Sequence, residues 1–201
     1  MTETPKWPSY STGPKESLLA LGVASVKYAE LESVIAFMFG TVFGLGVDAT
    51  TLIVSKIGFE AATQLMSRRL VQLAWSDKFK DAVGHFIAAI NICNANRNSL
   101  AHSNIMWTDH YGEAIPFMPT DKTVLFKSTK NGHTIGAAPT LPELRGIADD
   151  INTYCEYGRM LGNALNVALS NPPTFSPSPF PWPSKPALPR NLEYKSGPIP
   201  L

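Results

Sequence analysis

The sequence predicts a mainly α fold: an antiparallel bundle of four to five helices, with a small antiparallel β insertion at about 105–136 before the last helix and a proline-rich C-terminal tail. Three observations predict it. Apolar residues recur at three- and four-residue spacing through most of 16–169. Short runs of strand-forming residues between turn residues occur in one stretch only, ahead of the last helical pattern. Ten of the 17 prolines fall after Asn171. A chain of 201 residues suits one domain with its own core. With 44% hydrophobic and 16% charged residues the body is not disordered. A net charge of +1 excludes a broad cationic surface for gripping long nucleic acid, but not a local cationic site.

Residues 1–15 carry Pro5, Pro8, Gly13 and Pro14 and read as a flexible arm. A first helix starts near Glu16, with Leu18, Leu21, Leu31, Val34, Ile35 and Met38 among its apolar positions, and is ended by the glycines at 40, 44 and 46. Asp48 is placed to cap a short second helix that runs to Ile57. Gly58 then separates it from a third helix, Phe59 to Trp75, with an apolar stripe of Ala62, Leu65, Met66, Leu70, Leu73 and Ala74. Ser76 is the expected N-cap of a fourth helix. Its buried side is Phe79, Val83, Phe86, Ile87, Ile90 and Cys93, and it ends between Ser103 and Ile105. The insertion then offers Ile105–Thr108, Ala114–Met118, Thr123–Lys127 and His133–Ile135 as strands, with Asn131-Gly132 as a tight-turn signal. The last helix opens at Thr140-Leu141-Pro142-Glu143, a capping-box spacing with proline in the permissive first turn. From 171 to 201 the composition predicts an extended, disordered tail, with Phe175, Phe180, Trp182 and Tyr194 as residues able to dock on the body or on a partner.

Cys93 and Cys155 lie in apolar helical stretches and read as buried free thiols. Without a charged-then-apolar leader at Met1–Lys6, a cytoplasmic location is expected. The uncharged run from Ser33 to Val47 is shorter than the ~20 residues of a spanning helix and contains three glycines, so no stable membrane insertion is expected.

The candidate site is the end of the fourth helix. Asn94, Asn98 and His102 are four apart and share a face, while Arg97 lies about 140° around from His102 at roughly 100° per residue, within reach of a shared ligand. A row of asparagines costs helix propensity, so something other than local helix stability selects it. These residue types suit RNA cleavage without a metal or other cofactor. The 2′-hydroxyl must lose a proton, the phosphate must be gripped as charge builds, and the leaving 5′-oxygen must gain a proton. Imidazole transfers protons near neutral pH. Guanidinium binds phosphate oxygens bidentately. Asparagine orients either one. The negative end of the helix dipole assigns His102 the acid's role more readily than the base's. One chain supplies one such histidine, so a full acid–base pair calls for two chains.

A helical bundle whose late core helix ends in Arg97-Asn98-Ser99-Leu100-Ala101-His102 resembles the HEPN superfamily (higher eukaryote and prokaryote nucleotide-binding). Arg97, polar Asn98 and His102 match that family's Arg–polar–x3–His pattern over a resemblance covering roughly 16–106 and 140–169. The resemblance implies a homodimer with two motifs facing each other and a metal-independent endoribonuclease with RNA as substrate. Many such proteins act as toxins or in phage defence, so an antitoxin or other protein partner is implied too. Arg97, Asn98 and His102 would be catalytic; Asn94 and Ser103 would bind substrate. The alternative is a non-catalytic dimeric interaction or RNA-binding module of the same fold. A third reading is a peripheral membrane protein using the first helix.

Other residues carry less. His85 is expected to be a satisfied core or interface histidine, and His110 and His133 to be exposed in the insertion. No His, Cys or carboxylate pair has a strong zinc spacing. Gly44-Leu45-Gly46 lacks the lysine of a phosphate-binding loop and reads as a helix terminator.

Overall fold

In the computed structural model, the residues described are 14–102, 104–107, 123–128, 134–137, 139–170, 182–192 and 195–196. Four long helices dominate: α1 (Lys15–Phe43), α2 (Val47–Gln72), α3 (Asp77–His102) and α4 (Leu141–Ser170). Between α3 and α4 lie strands β1 (Asn104–Trp107), β2 (Thr123–Ser128) and β3 (Thr134–Ala137), and β4 (Lys195–Ser196) follows α4. The fold is therefore a helical bundle with a small sheet, as its sequence predicts. Among the described residues no single helix is long and apolar enough to cross a membrane.

Each boundary has a local cause. Only one of the three glycines at 40, 44 and 46 terminates α1. Gly44 takes φ +66, and the Leu45 N–H bonds the Gly40 carbonyl at 2.9 Å, the Schellman arrangement that a residue without Cβ permits. Gly40 instead lets α2 approach, since a Cβ there would stand 2.8 Å from Thr50 Oγ1. The N-cap of α2 is Gly46 and not Asp48, whose carboxylate lies in the first turn, where it complements the dipole. Gly58, at φ 76 and ψ 175, breaks α2 where the sequence separates two helices. The second half ends at Gln72, short of the expected Trp75. Its stripe is narrower than expected: Ala62, Met66 and Leu70 are buried, while Leu65 is exposed. The capping box at α4 forms as expected. Thr140 N donates to Glu143 Oε2 at 2.6 Å, and Glu143 N returns a bond to Thr140 Oγ1 at 3.4 Å.

The chain divides into two compact units. The first comprises Met1–Ser25, Ala95–Ala148 and Asn191–Leu201. It holds the sheet, whose order is β1-β2-β3-β4 with every pairing antiparallel. The registers pair Asn104 with Phe126, Leu125 with Ala137, and Gly136 with Lys195. The expected strands at 105–108, 123–127 and 133–135 thus form within one or two residues. Ala114–Met118 and the Asn131-Gly132 turn lie outside the described residues, as do His110 and His133.

The second unit comprises Val26–Asn94 and Asp149–Arg190. Leu31, Ile35, Met38, Met66, Phe86, Ile90, Ile151, Tyr154 and Leu161 are among its buried core residues. Contacts along the helices give their directions. Cys155 Sγ meets the Lys27 carbonyl at 3.5 Å, Arg159 pairs with Glu30 at 2.6 Å, and Gly162 backs onto Phe37 and Met38. The numbers rise together, so α1 and α4 run parallel. Tyr28 bonds Asn94, and Val34 and Phe86 meet at Gly158, so α3 runs antiparallel to both. Cys93 and Cys155 are buried free thiols, as expected.

The expected disordered tail needs correction over 182–192, where the chain is irregular but held by side-chain contacts. Pro183 and Pro189 are buried there. Prolines prevent this segment from forming a helix or a ladder, but not from docking.

Candidate functional site at the end of α3

The last two turns of α3 bury one face and open another. Asn96 (2% exposed), Ser99 and Leu100 continue the buried stripe of Phe86, Ile90 and Cys93. Arg97 and Asn98 are half-buried, and Ala101 and His102 are exposed. Within the first unit a pocket of about 460 Å3 is lined by Ala95, Asn96, Asn98, Ser99, His102, Asn191 and Leu192. Asn98 and His102 therefore open onto one space, a helical turn apart.

Arg97 does not line that pocket. Its Nη1 donates to Asn98 Oδ1 at 3.0 Å. That bond settles which end of the amide is which: Oδ1 is the acceptor bound to Arg97, and Nδ2 is the end able to donate to an anionic oxygen. A guanidinium carries its donors in a fixed fork whose geometry matches a phosphate bidentately.

Asn94 parts from this group. Its Oδ1 accepts the Tyr28 hydroxyl at 2.6 Å, a packing contact between α3 and α1 in the second unit. Ser103 lies outside the described residues. Two of the five expected site residues, Asn98 and His102, line the pocket; a third, Arg97, is tied to Asn98.

Family models, curated proteins and solved structures offer no match to this chain. The local geometry is thus what bears on function. Of the five further pocket residues, three are polar side chains that were not among the expected site residues: Asn96, Ser99 and Asn191. Asn96 is a buried polar side chain, and its Oδ1 accepts the Leu192 N–H at 2.8 Å, pinning one wall of the pocket. Its position on the apolar stripe, three residues after Cys93, was the available signal: a buried amide requires a partner. Ser99 follows the same stripe. Asn191 carries no such signal, because it is distant in sequence and follows a proline-rich stretch.

Elsewhere His85 is satisfied, as expected, but does not belong to the buried core. It is half-buried and bonded, with Nε2 3.0 Å from both the Pro186 carbonyl and the Tyr154 hydroxyl. A carbonyl only accepts, so Nε2 carries the proton. Among the described residues no three His, Cys, Asp or Glu side chains group as metal ligands.

Proposed function

We propose that the chain is a HEPN-type endoribonuclease that cuts RNA by attack of the 2′-hydroxyl, with two copies placing their α3 ends around one phosphodiester. What supports the reading is that Asn98 and His102 share a pocket and the Arg97 guanidinium is bonded to Asn98. In this mechanism the guanidinium holds the scissile phosphate as its oxygens gain charge. Asn98 Nδ2 donates to a phosphate oxygen and, through Oδ1, steadies the guanidinium. His102 gives a proton to the leaving 5′-oxygen, and the partner's imidazole takes the 2′-proton. The exposure of His102 suits an imidazole that must meet both a substrate and a second protomer. Twofold symmetry places the same patch on each side of such an interface.

The test is RNA cleavage by purified full-length protein in excess EDTA. Wild type cuts and leaves cyclic-phosphate ends. His102→Ala loses cleavage by at least about 100-fold, the scale of a general acid–base group, while its helical circular dichroism is unchanged. Equal activity of His102→Ala and wild type removes the imidazole from the mechanism.

A further inference from the structure

A cleft runs between α1 and the first half of α2, within the second unit. Toward one end Gly40 admits Thr50 Oγ1 to 2.8 Å from where a Cβ would stand. Toward the other Phe59, just past the break at Gly58, rests against Tyr28 with ring centroids 6.2 Å apart. The facing stripes carry small side chains, Ser33, Ala36 and Gly40 on α1 and Thr51 and Ser55 on α2, and a space of about 980 Å3 remains between them. Within 47–57 Thr50 is the one buried residue. Small-molecule sites occupy about 300–1,000 Å3. The cleft follows α1 from Ala29 to Thr41, about 18 Å at the helical rise per residue, so it suits an elongated occupant.

Phe37, Val54 and Leu169 give the cleft apolar walls. Its polar groups are mainly acceptors. Thr41, Thr50 and Ser55 donate their hydroxyl protons to the carbonyls of Phe37, Gly46 and Leu52, at 3.1, 2.8 and 3.0 Å. Ser33 does the same to the Ala29 carbonyl at 3.5 Å. A hydroxyl whose proton is committed to its own helix offers a ligand only lone pairs. Thr51 and Asn166 accept as readily as they donate. Among the described residues lining the cleft, the only charged side chain is Glu32, and an ionised carboxylate accepts and does not donate. The positive end of α2 opens at the opposite end, where Asp48 in the first turn already complements it.

An anion entering this space would meet lone pairs and a carboxylate, whereas an ammonium brings three donors and the complementary charge. We propose that the α1–α2 cleft binds an elongated apolar amine in its ammonium form, its alkyl or aryl body lying along Ala36, Phe37 and Val54 and its head directed to Glu32. The proposal is independent of the RNA-cleavage reading and uses none of its residues.

The test is isothermal titration of the full-length protein at pH 7 with decylamine, decanol and decanoate, each kept below the concentration at which it aggregates. The expected result is one decylamine per chain, with affinity for decanoate at least about tenfold lower because attraction becomes repulsion. Glu32→Gln should weaken decylamine by roughly two- to fivefold, the scale of one exposed ion pair, and leave decanol unchanged. Ala36→Trp, which fills the cleft, should remove decylamine binding while the circular dichroism spectrum is unchanged. Glu32 is exposed, so Glu32→Gln keeps the test decisive even where Ala36→Trp fails to fold. Absence of decylamine binding overturns the proposal, and so does unchanged binding in a folded Ala36→Trp protein. Decanol or decanoate binding as tightly as decylamine, or an unchanged decylamine affinity in Glu32→Gln, overturns the assignment of an amine.

Discussion

At Gly158 α4 packs tightly against both α1 and α3, and replacing it with alanine tests that packing. A Cβ at 158 would stand 2.5 Å from Val34 Cγ1 and 2.6 and 2.9 Å from Phe86 Cε2 and Cζ. Neither neighbour has space to yield, since Val34 is 3% exposed and Phe86 0%. Overpacking of this kind costs about 1–3 kcal/mol. Alanine regains up to about 1 kcal/mol of helix propensity over glycine. The net expectation for Gly158→Ala is a loss of roughly 1–2 kcal/mol. Gly84, within α3, has nothing within 4 Å of its would-be Cβ, so Gly84→Ala keeps the propensity gain and stabilises by up to about 1 kcal/mol. The assay is urea unfolding followed by circular dichroism at 222 nm, with thermal melting in parallel. The two variants should move in opposite directions, and Gly158→Ala should lower Tm by roughly 2–8 °C for a chain of this size. A Gly158→Ala protein as stable as wild type refutes the close three-helix contact.

Two further outcomes follow from buried and paired groups. Burial pushes the thiol of Cys93 up to about 12 and that of Cys155 up to about 11. Because the thiolate is the reactive form, a thiol reagent at pH 7.5 should label neither residue in the native chain within the time that labels both in 6 M guanidinium; rapid native labelling contradicts their burial. The Lys27 ammonium, and then the Arg159 guanidinium, hold the Glu30 carboxyl below its ordinary value of 4.5. A depressed folded-state value means the contribution is present above that range and is lost as pH falls through it. Glu30→Gln should therefore lower Tm at pH 7, by an amount that shrinks below pH 4.5 and vanishes in stronger acid; a Tm difference unchanged between pH 7 and pH 3 contradicts the pairing.

The helices were legible because each boundary has a local chemical signature. The Thr140–Glu143 capping box works through neighbours three apart, and the break at Gly58 needs only one residue's backbone freedom. Where several residues of one type compete, local reading fails: Gly40, Gly44 and Gly46 look alike, yet one takes a positive φ, one admits Thr50 and one caps α2. The strands of the insertion were legible from their β-branched runs, but β4 was not, because Lys195-Ser196 acquires its pairing only from β3. The proline-rich segment shows the same limit. Its composition excludes a helix, but Trp182 finding Phe79 depends on the tertiary fold. At the site, the Arg97–His102 spacing placed Asn98 and His102 on one pocket. It also enlisted Asn94, whose amide serves Tyr28 instead, and passed over Asn96, whose role appears only with Leu192 beside it.

The claim on which the functional account depends is that the attacking group belongs to the RNA itself. The direct measurement compares a short RNA with the same strand carrying a single 2′-deoxy nucleotide at the mapped cut site, both incubated with the full-length protein in EDTA. The account predicts that cutting at that position disappears while cuts elsewhere continue with cyclic-phosphate ends. Undiminished cutting at the deoxy position contradicts it.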